Sequence, residues 1–271
     1  NVKSIQSFNS SVELFKRNHT KKYSQKIIEK ISLENIATIN KGLEKDLLHE
    51  ISKKESGFEF IDTIKAFNRN CDIKRLKVDD LFDNKKIDKK IFDNKKIVIN
   101  ESKNIEYYDL FYDENKLLVN ENYFILNYKR TGFSYEFLYL FLCSNFITNN
   151  SFIESRKLTK ANLSSIEIPI IKTEYQNVFK SLYDLIIDEN DKVIQNYFIN
   201  IVNNINKFLI NSSTFEIESI NIFEILEFLS SEFKNQSDSK SIYLKLSDNN
   251  SILSIFILKM NYLLNEYEAN N

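Results

Sequence analysis

Leu158-Thr-Lys-Ala-Asn-Leu-Ser-Ser-Ile-Glu-Ile-Pro169 marks the point where the chain changes character. Around its start, residues 151–163 are polar and basic, with Arg156, Lys157 and Lys160. Then Ile166, Ile168 and Ile170 alternate around Pro169, the chain's one proline. Period-two alternation marks a half-buried strand, and a proline, with no N–H for the ladder, belongs at a sheet edge. The spacing predicts a short edge strand that ends a domain. From Glu174 the period becomes helical. Tyr175, Val178, Leu182, Leu185 and Ile186 form one stripe, Asp188 to Asp191 interrupt it, and Ile194, Tyr197, Ile201, Ile205 and Phe208 resume it. This reads either as a helix on its own core or as a long helix or helical hairpin docking on a partner.

Upstream lies the most apolar stretch, residues 134–147. Ser134 suits an N-cap, and Phe137, Leu138, Phe141, Leu142 and Ile147 can face inward on a buried helix. Cys143 then reads as a small core residue. Ile97-Val98-Ile99, Leu117-Leu118-Val119 and Tyr123-Phe124-Ile125-Leu126 are compact β-rich runs, expected as strands of one curled sheet. Asp-Asn-Lys-Lys-Ile occurs at 83–87 and again at 93–97, which reads as turn chemistry around a short strand or bulge. Residues 58–64 alternate as a strand does, and Ile73, Leu76, Val78 and Leu81-Phe82 make a further apolar unit. In Ile31-Ser-Leu-Glu-Asn-Ile-Ala-Thr-Ile-Asn-Lys-Gly42 the apolar Leu33, Ile36 and Ile39 recur every three residues, predicting a turn or two of helix with a Gly cap. Residues 43–57 are charged and read as a loop or exposed helix. Residues 1–30 read as a polar helical or linker segment. Beyond residue 211 the pattern predicts a helix from Ile222 to Phe233, a strand from Ile242 to Leu246 and a helix from Ile252 to Tyr267.

Composition excludes several chemistries. The chain has 271 residues, 42% hydrophobic and 28% charged, enough apolar material for a real core. Only three glycines occur, Gly42, Gly57 and Gly132, so no glycine-rich loop can cradle a phosphate or nucleotide cofactor. The two cysteines, Cys71 and Cys143, make neither a disulfide framework nor a four-cysteine zinc site. His19 and His49 have no partners at ligand spacing, and no serine sits in a Gly-x-Ser-x-Gly elbow. Asp79-Asp80 and Asp188-Glu189 read as solvated turns. No catalytic residue, metal or cofactor is expected. The 35 asparagines, with abundant Lys, Ile, Tyr and Phe, point to an AT-rich coding sequence. No apolar run spans a membrane and no signal peptide is recognised, which fits a reducing, cytoplasmic setting. The first residue is Asn1 rather than Met, as in a processed or excised chain.

The formal net charge of -1 conceals a division. Residues 1–173 carry 30 Lys+Arg against 24 Asp+Glu, whereas residues 174–271 carry 7 against 14. A basic front attracts phosphate backbones, and an acidic back repels them.

The order of these pieces resembles the target recognition domains of type I restriction-modification specificity subunits. Similar domains close fused adenine-specific DNA methyltransferases. The resemblance covers roughly residues 30–210. Its most specific block is Leu158–Pro169, which matches a closing pattern Leu-Thr-Lys-x-x-Leu-x-x-Ile-x-Ile-Pro. Gln176, seven residues past the proline, matches a glutamine that opens the long helix in the family. The apolar segment ending at Gly42 and Ile73-Lys-Arg-Leu-Lys-Val-Asp-Asp-Leu81 match more weakly. The family's Gly-Asp-Ile-Leu strand is replaced by Lys95-Lys-Ile-Val-Ile-Asn100. One copy of the pattern is present where a full specificity subunit has two.

The resemblance implies an α+β fold: a target-recognition domain over 31–173 with a small curled sheet and packed helices. A helical spacer or partner-docking segment over 174–210 and an acidic α-rich appendage over 211–271 follow it. It implies a non-catalytic reader of double-stranded DNA that positions a DNA methyltransferase subunit or fused domain, either as a half subunit that pairs with a second copy of itself or as the recognition end of a larger enzyme. Candidate DNA contacts are Lys129 and Arg130 ahead of Gly132, then Arg156, Lys157 and Lys160, with Lys74 and Arg75 after them. Phosphate contacts set register and base-edge contacts set sequence. Tyr107, Tyr108 and Tyr135 are expected more as core packing than as wedges at DNA. The competing reading is a protein-interaction scaffold without a nucleic-acid role; a third is a hydrolase or nuclease whose site these motifs miss.

Overall fold

The structure, a computed structural model, describes residues 28–44, 58–61, 73–76, 91, 95–101, 110–113, 117–129, 132–143, 158–211, 222–235, 238–248 and 253–258. Outside them lie several runs of the sequence analysis: residues 1–27, most of the charged 43–57 segment, Ile64, Val78 and Leu81-Phe82, the first Asp-Asn-Lys-Lys-Ile copy with Asp93-Asn94 of the second, the basic residues 151–157, and the segment beyond 258. The described residues fall into two compact units. One runs from Glu29 to Ile187, and the other holds Ile28 with the residues from Asp188 onward.

The first unit is α+β. Strand β1 (Lys30–Ser32) leads into a one-turn helix, α1 (Leu33–Ile36), and then directly into β2 (Ala37–Lys41). The helix expected to run to Gly42 thus stops after one turn. Ala37 is extended at φ -133°, ψ 153°, and from there the backbone pairs residue by residue with β8 (Tyr123–Tyr128). A spacing of three fitted a helix, but ladder bonding and the strand-favouring Thr38 and Ile39 take over after Ile36. Gly42 caps no helix; its N–H donates to Tyr123 O at 3.0 Å.

Strands β2, β8, β5 (Lys96–Asn100) and β6 (Leu110–Asp113) form an antiparallel sheet in that order. A second sheet holds β4 (Ile73–Leu76), β3 (Phe58–Ile61) and β7 (Leu117–Val119), with β3 parallel to β7. The single curled sheet expected from the three apolar runs is therefore two sheets, because β7 pairs with β3 rather than with its chain neighbour β8. Ile97, Val98 and Ile99 are all buried, as are Phe124, Ile125 and Leu126. These continuous apolar runs mark the central strands, covered on both faces.

Helix α2 (Tyr135–Leu142) packs on β5 and β6. Ser134 Oγ accepts from Phe137 N at 3.0 Å, the cap expected there. Every residue from Phe137 to Cys143 is buried, so the helix is enclosed all round rather than on one face. Burial pushes the Cys143 thiol well above its ordinary range, which keeps it protonated and unreactive. Ile147 lies outside the described residues.

The closing block folds as helix α3 (Lys160–Ser164) and strand β9 (Glu167–Pro169). Strand β9 pairs antiparallel with β1, with Ile31 opposite Ile168 and Lys30 opposite Pro169. Beyond the proline, Ile170 N donates to Glu29 O at 2.8 Å, so the pairing continues past the missing donor. The expected alternation breaks at Pro169, however: Ile170 is 42% exposed, and Ile171 goes into the core instead. Helix α4 (Thr173–Asp188) follows and buries Tyr175, Val178, Phe179, Leu182 and Ile186. Two edge-to-face ring pairs join it to α2: Phe179 on Phe137 at 4.8 Å, and Tyr183 on Tyr139 at 5.4 Å.

Among its described residues the second unit holds helices and no strand. It contains α5 (Lys192–Asn211), α6 (Ile222–Asn235), α7 (Ser239–Leu246) and a helical stretch at 253–258. The strand expected at 242–246 is helix α7. Asp238 caps it, its carboxylate accepting from Ser241 N at 2.9 Å, and the capping hydrogen bonds hold that carboxyl below its usual pKa. Ile242 and Leu246 are buried one turn apart, whereas Leu244, inward in a strand pattern, is 62% exposed. Tyr197 and Tyr243 join α5 to α7 edge to face at 5.1 Å. No described helix is long and apolar enough to cross a membrane.

Candidate nucleic-acid interface

The best-described part of the candidate interface is the connection from β8 to α2. Lys129 follows β8 directly. Its N–H donates to Ile36 O at 2.8 Å, and its exposed ammonium donates to Glu34 O at 3.0 Å. The ammonium thus rests on the carbonyls of α1, where the backbone offers unpaired acceptors. Gly132 adopts φ 107°, the left-handed region, with nothing within 4 Å of where a Cβ would lie. Conformation, not crowding, requires glycine there.

Behind this loop stands Gln176, on the first turn of α4 and 1% exposed. Its Oε1 accepts from Ser134 N at 2.6 Å; its Nε2 donates to Gly132 O at 2.8 Å and to Ile171 O at 3.0 Å. One buried amide therefore meets both edges of the loop and the end of the closing strand. Tyr128 and Tyr135 stack beside it with ring centroids 3.9 Å apart. Tyr128 OH donates to Ser134 O, and Tyr135 OH donates to Lys95 O at 2.6 Å. Burial holds both phenols above their ordinary range, so they are protonated donors that pin the loop. Tyr135 is thus occupied with packing.

Lys160 is exposed in the first turn of α3. Thr159 Oγ1 accepts from Asn162 N at 3.1 Å, and Leu158 N donates to Glu101 O at 3.0 Å. Glu101 follows β5, where Asn100 lies opposite Tyr123. Lys160 is therefore approached from the Tyr123 end of β8, whereas Lys129 leaves from the Tyr128 end. Helix α3 itself packs on α1 and β2, and α1 is the turn whose Glu34 carbonyl accepts from the Lys129 ammonium. Lys74 and Arg75 are placed within β4, opposite Phe60 and Glu59. Arg130, Arg156 and Lys157, with Tyr107 and Tyr108, lie outside the described residues.

Lys41, which the motif analysis passed over, is engaged. Its ammonium pairs with the Glu101 carboxylate, donates to Glu121 O at 3.0 Å and lies 4.0 Å from the centre of the Phe124 ring. The role of Gln176 was also not readable from local patterns, because two of its three partners are 42 and 44 residues away. Its place seven residues past the proline of the closing block was the only signal. Among the described residues, no group of three or more His, Cys, Asp or Glu side chains is placed to hold a metal ion.

No protein-family model matches the chain, and no curated protein matches it in sequence. Solved structures similar to it are specificity subunits of type I restriction-modification systems. One is the S subunit of such a system from M. genitalium, 16% identical, with a TM-score of 0.37, covering 85% of this chain and 52% of that one. A second, from a study of complex assembly and conformational transition in the type I system, is 11% identical, with a TM-score of 0.44 and coverage of 84% and 53%. The third is the HsdS subunit from Thermoanaerobacter tengcongensis, 10% identical, with a TM-score of 0.40 and coverage of 84% and 52%. The chain spans about half the length of each.

Proposed function

We propose that this chain is a non-catalytic DNA sequence-recognition module that places an adenine-specific methyltransferase, or the restriction enzyme containing it, on a target duplex in the cytoplasm. The observation that carries the reading is the joint behaviour of the closing block and Gln176. The block folds into a helix and an edge strand paired with β1, and the glutamine matched to the family motif is buried with all its amide groups engaged. These are the most specific positions of the sequence resemblance, and they form one structural joint. The basic balance of residues 1–173 supports phosphate contact there, and the acidic balance after residue 174 suits a protein partner instead. Residues 31–173 form the recognition domain, 174–210 the spacer and 211–271 an appendage. The extruded adenine goes to the partner's pocket, since the chain carries no motif to act on it. A single copy of the pattern calls for a second copy of this chain, or a longer enzyme, to complete a bipartite site.

Lys129, Arg130, Arg156, Lys157 and Lys160 are the proposed backbone contacts, with Lys74 and Arg75 beside them. Reversing charge at two of them, Arg156→Glu with Lys157→Glu, is expected to weaken duplex binding at low salt by about tenfold or more. Each phosphate contact adds about 0.9 to the slope of log affinity against log salt, so the slope is expected to shrink by about 1.8. The unfolding curve should not move. An unchanged affinity and slope at low salt would remove both residues from the interface.

A further inference from the structure

We infer that Gln176 is a positioning residue for recognition: its side-chain amide sets the loop between β8 and α2 in the one geometry in which that loop meets DNA. This rests on the reading above and adds a residue that touches no DNA itself.

The argument starts from valence. A glutamine amide has one carbonyl oxygen and two N–H donors. Here the oxygen takes Ser134 N, and the nitrogen gives to Gly132 O and Ile171 O, each within 3.0 Å. The site is 1% exposed, so water cannot replace a lost partner without opening the fold. The fold could build helix α2 without this amide, because Ser134 Oγ already caps it. What the amide adds is a fixed relation between three separate pieces of backbone: the left-handed turn at Gly132, the start of α2 and the end of the closing strand. Gly132 cannot supply that relation alone, since nothing crowds it. Lys129 and Arg130 stand just before this turn, so its setting fixes where the chain emerges from β8 toward a phosphate backbone.

A carboxyl in place of the amide separates this role from simple stability. In Gln176→Glu the ionised side chain could accept from Ser134 N only by holding its second oxygen, with no proton to give, against the carbonyl oxygens of Gly132 and Ile171; that repulsion drives it off all three partners. Burial and both carbonyls oppose the charge and raise the carboxyl's pKa. Above that pKa the loop loses its tie; below it the neutral acid accepts from Ser134 and donates to one carbonyl. The variant should thus regain function as pH falls, and the wild type should not change in this way. Titratable groups on the surrounding elements are Tyr128 on β8, Tyr135 and Glu136 on α2, and Lys172, Glu174 and Tyr175 around the start of α4. All are present in the wild type, so a parallel titration removes their effect.

The test uses the full chain, a mixed-sequence duplex at low salt, and the hydrogen-exchange protection of the Ser134 amide, at pH 8 and pH 5.5. At pH 8, Gln176→Glu is expected to lose Ser134 protection and at least about tenfold in duplex affinity, a loss of the size expected when buried hydrogen bonds are broken. At pH 5.5 both should return to within about threefold of wild type. Gln176→Met, similar in shape but without polar groups, should lose both at either pH while remaining folded. Wild-type protection and affinity in Gln176→Met, or an equal loss in Gln176→Glu at both pH values, overturns the positioning role. So does lost protection with unchanged affinity. A wild-type chain that binds no duplex even with a candidate methyltransferase partner present overturns the DNA reading itself, a separate result from either of these.

Discussion

Gly42→Ala is expected to lower the stability of the Glu29–Ile187 unit by about 3 kcal/mol or more, at the upper end of what overpacking costs. A Cβ on Gly42 would lie 2.0 Å from Asn120 O and 2.5 Å from Val119 O. Both are backbone atoms, so no rotamer change relieves the clash. The same turn is held by Gly42 N on Tyr123 O and by Leu43 N on Val119 O at 2.8 Å. Asn120 is 4% exposed and closes the turn by accepting from Asn122 N at 2.9 Å. Moving it aside breaks bonds that water does not readily replace. For a unit of this size the melting temperature should fall by roughly 6 to 12 °C. A shift under about 2 °C would show that β2 and the Asn120 turn separate easily, contrary to the packing described.

Phe179→Ala should cost about 3–5 kcal/mol, the range for deleting a buried aromatic ring. Phe179 is fully buried on α4 and meets Phe137 edge to face at 4.8 Å, 72° between planes. Its loss leaves a cavity on both helices at once, just beyond the turn of α4 that carries Gln176. Urea denaturation should show a lower midpoint at unchanged slope, since the surface exposed on unfolding hardly changes. A cost below about 1 kcal/mol would mean that α4 is not an integral part of the Glu29–Ile187 unit.

These two sites also show what local sequence can and cannot announce. Helix α2 was legible because Ser134 precedes a long apolar run and the helix needs nothing else to start. The edge strand at Glu167–Pro169 was legible from alternation and from the proline. Its partner was not, because β1 lies far upstream and nothing in Lys30-Ile-Ser32 specifies pairing with it. The one-turn helix was misjudged in length, since Leu33, Ile36 and Ile39 keep one spacing across a change from helix to strand. At 242–246 an alternating pattern concealed a helix whose signal lay outside the run, in the capping Asp238. Gly42 looked like a helix cap, yet its purpose is close approach to a turn nearly eighty residues later in the chain.

The candidate site divides in the same way. Gln176 was marked by its place seven residues past the closing block, but two of its three partners come from the β8–α2 loop, which only the fold brings near. Lys129 and Lys160 read as loop residues around the best-matched block; the fold sets Lys160 in helix α3 instead, packed on the turn α1 that Lys129 also meets. Tyr135 was one aromatic among the chain's 14 tyrosines and 22 phenylalanines, and composition alone could not assign it. Stacking on Tyr128 does.

The most direct test of DNA recognition is the affinity of the purified chain for a mixed-sequence duplex across a salt series, with and without a candidate methyltransferase partner. A basic recognition unit predicts binding that weakens steeply and linearly in log salt, and that tightens and becomes sequence-selective with the partner present. No binding at low salt in either arm would contradict the account and favour a protein-interaction scaffold.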